Sequence, residues 1–105
     1  MTTNDAHVRH PRSMEDALLL KPTDNAYHFL GYISEEWSQG RACFGGILLA
    51  LSARAGALFA ADDRRLRCIN MTFVAPVGPG EVRVEIEPLR AGGSVTHLLC
   101  KVVQN

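Results

Sequence analysis

The sequence predicts an α+β fold in which an antiparallel sheet curls round one long central helix. Three observations predict it. Residues 47–61 place Ile47, Leu48, Leu49, Leu51, Leu58 and Phe59 among six alanines, with only Ser52 and Arg54 as polar interruptions. A helix that apolar most of the way round is expected to be buried on several sides, as a rod of about 22 Å. Three strand-like runs then follow, at 66–75, 81–89 and 94–103. The first puts Ile69, Met71 and Phe73 on one face and Asn70 and Thr72 on the other; the second alternates Val82, Val84 and Ile86 with Arg83, Glu85 and Glu87, the period of half-buried antiparallel strands. Finally, Pro76-Val77-Gly78-Pro79-Gly80 and Ala91-Gly92-Gly93 supply the turns between the runs.

The remaining elements follow in order. Residues 1–12 are polar and aperiodic and are expected to form a flexible arm. Ser13 and Asp16 resemble a helix-start pair ahead of Ala17, Leu18, Leu19 and Leu20, with Pro22 ending a short helix. Residues 26–33, with Tyr27, Phe29 and Ile33, suit a first strand. Ser34-Glu35-Glu36 turns the chain into a loop at Trp37. The count is one strand short of a closed wrapper, which leaves an open edge at 94–103 and part of the helix without cover.

A length of 105 residues allows one domain, at 13–105, with one modest core. Lys plus Arg and Asp plus Glu are both 11 and the basic residues are scattered, so nothing points to nucleic acid or an anionic membrane as partner. Cys43, Cys68 and Cys100 are odd in number and far apart. They read as buried free thiols of a reducing compartment. The polar amino end has no apolar leader core and no run approaches bilayer length, so a cytoplasmic protein is expected. Four histidines without helical or short-loop pairing give no metal site.

The stretch richest in chemistry is Trp37-Ser38-Gln39-Gly40-Arg41-Ala42-Cys43-Phe44-Gly45-Gly46, which runs directly into the apolar helix. The first N–H groups of a helix have no intrahelical partner and carry the positive end of its dipole, so they suit an anion or a polarised carbonyl oxygen. Glycine admits such a group without a Cβ in the way. The plainer reading stands beside it: Gly45 and Gly46 let the helix entrance pack closely against a neighbouring strand.

Taken together, Trp37-Ser38-Gln39-Gly40, Phe44-Gly45-Gly46, Phe73-Val74-Ala75-Pro76, Gly80-Glu81-Val82 and Arg90-Ala91-Gly92-Gly93-Ser94 resemble the N-terminal unit of the acyl-CoA thioesterase II type within the thioesterase-like superfamily. The likeness covers roughly residues 26–104. It implies the hotdog fold, acyl-CoA or a related acyl thioester as ligand, no cofactor beyond the coenzyme A of the substrate, and a partner that is a second hotdog unit, in the same polypeptide or in a homo-oligomer. It also implies a further strand returning beside the third. By this resemblance Gly45 and Gly46 would give the backbone oxyanion donors, and a carboxylate would direct water at the thioester. No Asp or Glu stands between Trp37 and Ala50. In fused members the acid belongs to the second unit, so the resemblance implies a first half whose hydrolysis a second unit completes.

Other candidates have plain readings alongside. Trp37 and Phe44 would wall an acyl pocket or anchor the core; Arg41 would meet a coenzyme A phosphate or stay in solvent. Asn70 and Thr72 would hydrogen-bond the ligand or a facing unit. Glu35 and Glu36 are the acids nearest the helix entrance but suit a solvated turn, His28 and His97 suit strand positions, and Cys43 suits a small apolar filler. The alternative function is a non-catalytic hotdog module for binding or assembly. A hydratase of the same fold would need an acid and a histidine together at the helix entrance, and neither is there.

Overall fold

The computed structural model of the protein describes residues 14–39, 42–43, 45–60 and 63–104. The arm at 1–12 and Ser13 lie outside them. Helix α1 (Met14–Ala17) carries Glu15 and Asp16 in its first turn, where they complement the helix dipole, and it buries Ala17 in the core. Strand β1 (Lys21–Pro22) pairs antiparallel with β2 (His28–Ile33), Lys21 opposite Leu30 and Pro22 opposite Phe29. Proline is tolerated there because β1 is an edge strand. The first long strand starts at His28 rather than 26 for a local reason. The Tyr27 N–H donates to Asn25 Oδ1 at 2.8 Å and the Thr23 hydroxyl donates to the Asn25 carbonyl at 2.9 Å, so a side-chain turn uses up the preceding residues.

After a 3-10 turn (Glu35–Trp37) come β3 (Ser38–Gln39) and β4 (Ala42–Cys43), a small antiparallel hairpin pairing Ser38 with Cys43, and then helix α2 (Gly45–Phe59). Strands β5 (Gly80–Ala91) and β6 (Thr96–Val103) complete a four-stranded antiparallel sheet of order β1-β2-β5-β6. Gly80 opens β5 at φ +130°, a conformation that favours glycine. A bulge at Leu89 separates the pairs Pro88–Leu98 and Arg90–His97. Among the described residues no helix is long and apolar enough to cross a membrane.

The helix lies on the inner face of the sheet. Ile47, Leu48 and Leu51 join Ala17, Ile33 and Val82 in one buried cluster, while Ala55 joins Val84 and Ile86 in a second. The N-terminal half of α2 therefore sits over the Ile33/Val82 end of the sheet and its C-terminal half over the Val84/Ile86 end. The buried positions Ile47, Leu48, Leu51, Ser52 and Ala55 form one helical stripe.

Three expectations need correction. The apolar pattern of α2 predicted burial on several sides, but Arg54, Ala57 and Leu58 are exposed, Leu58 by 51%. One sheet covers one face of a helix, and nothing among the described residues covers the other. Residues 66–75 do not form the predicted strand; they run without ladder partners, since a strand exists only where another main chain takes up its N–H and C=O groups. The alternation survives in weakened form, with Ile69 and Met71 half-buried and Asn70 and Thr72 exposed. Finally, Cys68, which lies in this unpaired segment, is exposed rather than buried.

Candidate functional site

Helix α2 begins at Gly45, so its first turn is Gly45, Gly46, Ile47 and Leu48, with no acidic residue in it. Both glycines are half-exposed while Ile47 and Leu48 are buried, which leaves the entrance accessible from one side. The hairpin Ser38–Gln39/Ala42–Cys43 delivers the chain to this point. Phe73 borders it. A Cβ placed on Gly45 would lie 2.9 Å from Phe73 Cζ, so the ring tip rests against the helix entrance, and only a residue without a side chain admits that approach.

Trp37 is half-buried and packs against the cluster of Ile47, Leu48 and Leu51. Its indole Nε1 and the Ser38 hydroxyl are buried without a hydrogen-bond partner among the described residues, unusual for buried polar atoms. Arg41 and Phe44 lie outside the described residues, so the structure brings together Trp37, Gly45 and Gly46 from the predicted set. Thr72 adjoins Phe73 in the chain but is exposed, as is Asn70, whose amide reaches Cys68 Sγ at 3.7 Å. Both share the face turned away from Met71, which packs on the core.

The titratable candidates lie elsewhere. Glu35 and Glu36 are exposed on the 3-10 turn, and Glu36 Oε1 accepts the hydroxyl of buried Ser34 at 3.1 Å; this fixes Glu36 as a partner of the turn. His28 pairs with Glu85 beneath the C-terminal half of α2, and His97 lies beyond the bulge opposite Arg90. Neither is at the helix entrance. Cys43 pairs its main chain with Ser38. Burial pushes the Cys100 thiol above its ordinary range, which disfavours the thiolate. On the outer face the Arg83 guanidinium, 2.7 Å from Glu85 Oε2, holds that carboxyl below its usual range, aided by the charges of His28 and Lys101. No group of three or more His, Cys, Asp or Glu able to hold a metal occurs among the described residues.

Sequence reasoning missed the contact of Phe73 with Gly45. The alternation at 66–75 places Phe73 only on a strand face, and the available signal is its place in Phe73-Val74-Ala75-Pro76, one of the motifs of the resemblance.

Comparison with known proteins gives a consistent answer. A structure from Thermobifida fusca YX, assigned as a thioesterase II, superposes with a TM-score of 0.72 at 18% identity over 87% of this chain and 33% of its own. A second, from Ralstonia eutropha JMP134, assigned as a thioesterase related to phenylacetic acid degradation, gives 0.66 at 16% identity, over 83% of this chain and 74% of its own. At such identities the likeness establishes the fold, a hotdog, and the chain spans about a third of the length of the Thermobifida protein. Comparison with curated proteins finds no match. Residues 33–105 match the acyl-CoA thioesterase N-terminal domain, and with that match covering well over half of its length, the chain belongs to this thioesterase-like family.

Proposed function

We propose that this chain binds an acyl thioester, acyl-CoA or a close relative, at the entrance of α2, and that a second hotdog unit completes its hydrolysis. The observation that carries the reading is a buried helix opening on two residues without side chains in a chain of this family. The thioester oxygen would accept hydrogen bonds from the first free amides, Gly45 and Gly46, which stabilise the oxyanion formed when water adds to the carbonyl carbon. Collapse of that intermediate releases the carboxylic acid and the thiol. Trp37 and Phe73 would flank the acyl group, with Thr72 and Asn70 on the open side, and Arg41 and Phe44 are candidates by their place in the sequence between Trp37 and Gly45. The water-activating carboxylate would come from the second unit, since the helix entrance has none of its own.

That same lack favours a second reading, a module that binds or assembles without turning over. Titration with a thioether analogue of acyl-CoA, followed by amide NMR, tests the shared part. Shifts centred on Gly45, Gly46 and Phe73 are expected; shifts confined to the outer face of the sheet would overturn the site. Thiol release by the chain with and without an added second unit separates the two readings.

A further inference from the structure

Phe73 reaches the helix entrance on a stretch of chain that makes little main-chain bonding of its own. Among the described residues, the main-chain groups of 65–79 make one hydrogen-bonded pairing, and a side chain supplies it. The Gly78 N–H donates to Gln104 Oε1 at 3.0 Å, and Gln104 Nε2 donates to the Gly78 carbonyl at 2.8 Å. Two facing residues of an antiparallel ladder exchange both bonds in this way; a carboxamide, with acceptor and donors side by side, does it from a side chain. Gln104 directly follows β6, where Val102 packs on the core and Val103 pairs with Arg83. The sheet therefore holds the amide in place.

Four residues separate Phe73 from Gly78, and they are suited to carry that placement to the ring. Pro76 and Pro79 fix their own φ and push Ala75 and Gly78 towards extended backbone, and Val77 packs against the cluster of Ile47 and Leu48. The ring itself belongs to neither buried cluster and is more than half exposed, so its seat against Gly45 is set by where the main chain runs. We propose that Gln104 is a positioning residue of the acyl site: its carboxamide fixes the main chain at 73–78 and, through it, the Phe73 ring that walls the entrance of α2. The inference rests on the acyl thioester reading above, since the group that the placed ring meets is the acyl chain. Its consequence is selective, because a ligand without an acyl chain has nothing for the ring to touch.

The test uses the whole chain, the variants Gln104→Ala, Gln104→Met and Phe73→Ala, and two ligands, the thioether analogue of acyl-CoA and coenzyme A itself. The first readout, without ligand, is the nuclear Overhauser contact between the Phe73 ring and the α protons of Gly45, with the β5 and β6 amide shifts reporting that the sheet is intact. Gln104→Ala is expected to lose the contact. Gln104→Met, which keeps the length of the side chain but neither donor nor acceptor, should lose it too. The second readout is affinity. Both Gln104 variants should weaken the analogue about three- to tenfold, the scale of one aromatic contact, and leave coenzyme A unchanged, and Gln104→Ala should add nothing in the Phe73→Ala background. A merely structural role would weaken both ligands or add to Phe73→Ala, and either result would overturn the proposal. A contact unmoved in Gln104→Ala, or retained in Gln104→Met, would overturn it by assigning the ring's placement to packing. Failure of the unaltered chain to bind the analogue would overturn the acyl site and the role of Gln104 in it, while the ligand-free contact separately shows whether Gln104 places the ring.

Discussion

Gly45 serves two readings at once, and the Phe73 ring is the way to separate them. A methyl on Gly45 would meet Phe73 Cζ at 2.9 Å, but the ring is 60% exposed and hangs from an unpaired segment, so it can yield. Alanine also gains up to about 1 kcal/mol of helix propensity over glycine. Gly45→Ala should therefore change stability by less than about 1 kcal/mol in urea titrations, and Phe73→Ala should remove what cost there is. If Gly45→Ala in the Phe73→Ala background still weakens binding of the thioether analogue, the glycine admits ligand; if binding is unchanged, it admits only the ring. A second residue-scale outcome concerns Glu85. Its carboxyl is held low chiefly by the hydrogen bond from Arg83, so Arg83→Ala should move its titration upward by NMR. The sign follows: a lowered folded-state value stabilises above the unfolded value, and that contribution disappears as pH falls through the folded one. An unmoved titration in Arg83→Ala would assign the effect to His28 and Lys101 instead.

At the scale of elements the helix dominates the core. Leu51, on α2, is fully buried in the cluster with Ala17 of α1 and Ile33 and Val82 of the sheet, and Leu51→Ala should destabilise by about 2–5 kcal/mol, whereas Leu58→Ala, on the open face, should cost less than about 1 kcal/mol. Thermal or urea unfolding of both variants checks the contrast, and equal losses would mean that the outer face of α2 is covered. The same pair shows what was legible in the sequence. The helix start and the pairing of β5 with β6 follow from local patterns: an apolar run after Gly45-Gly46, and alternation in Val82, Val84 and Ile86. Which face of α2 is buried does not follow, because Leu58 and Leu51 look alike in sequence and only the sheet distinguishes them. The strand predicted at 66–75 failed for the same reason, since alternation gives the propensity but pairing needs a second main chain. The candidate site was legible at Gly45, Gly46 and Trp37, whose signals are local. Phe73 was not, because its contact with Gly45 closes across 28 positions of the chain.

The molecule as a whole leaves apolar surface uncovered: Leu58, Leu66, Phe73 and Val74, on α2 or the segment that follows it, are each more than half exposed, as are Leu19, Leu89 and Val95 elsewhere. Such a surface is characteristic of a face awaiting a partner, so sedimentation is expected to show association at micromolar concentration that Val74→Glu weakens; a well-folded monomer throughout would count against a partner on this face. Catalysis should be incomplete on the same ground. An oxyanion site without a positioned base retains only part of the rate, and loss of a general base removes about 10² to 10⁴. Thiol release by the 105-residue chain from short, medium and long acyl-CoA should therefore be weak or undetectable, and Glu35→Gln and Glu36→Gln should leave any residual rate unchanged, since Glu36 is engaged with Ser34 and both side chains face solvent. Fast turnover abolished by either substitution would place the catalytic acid on the Glu35–Trp37 turn and make the chain an enzyme in its own right.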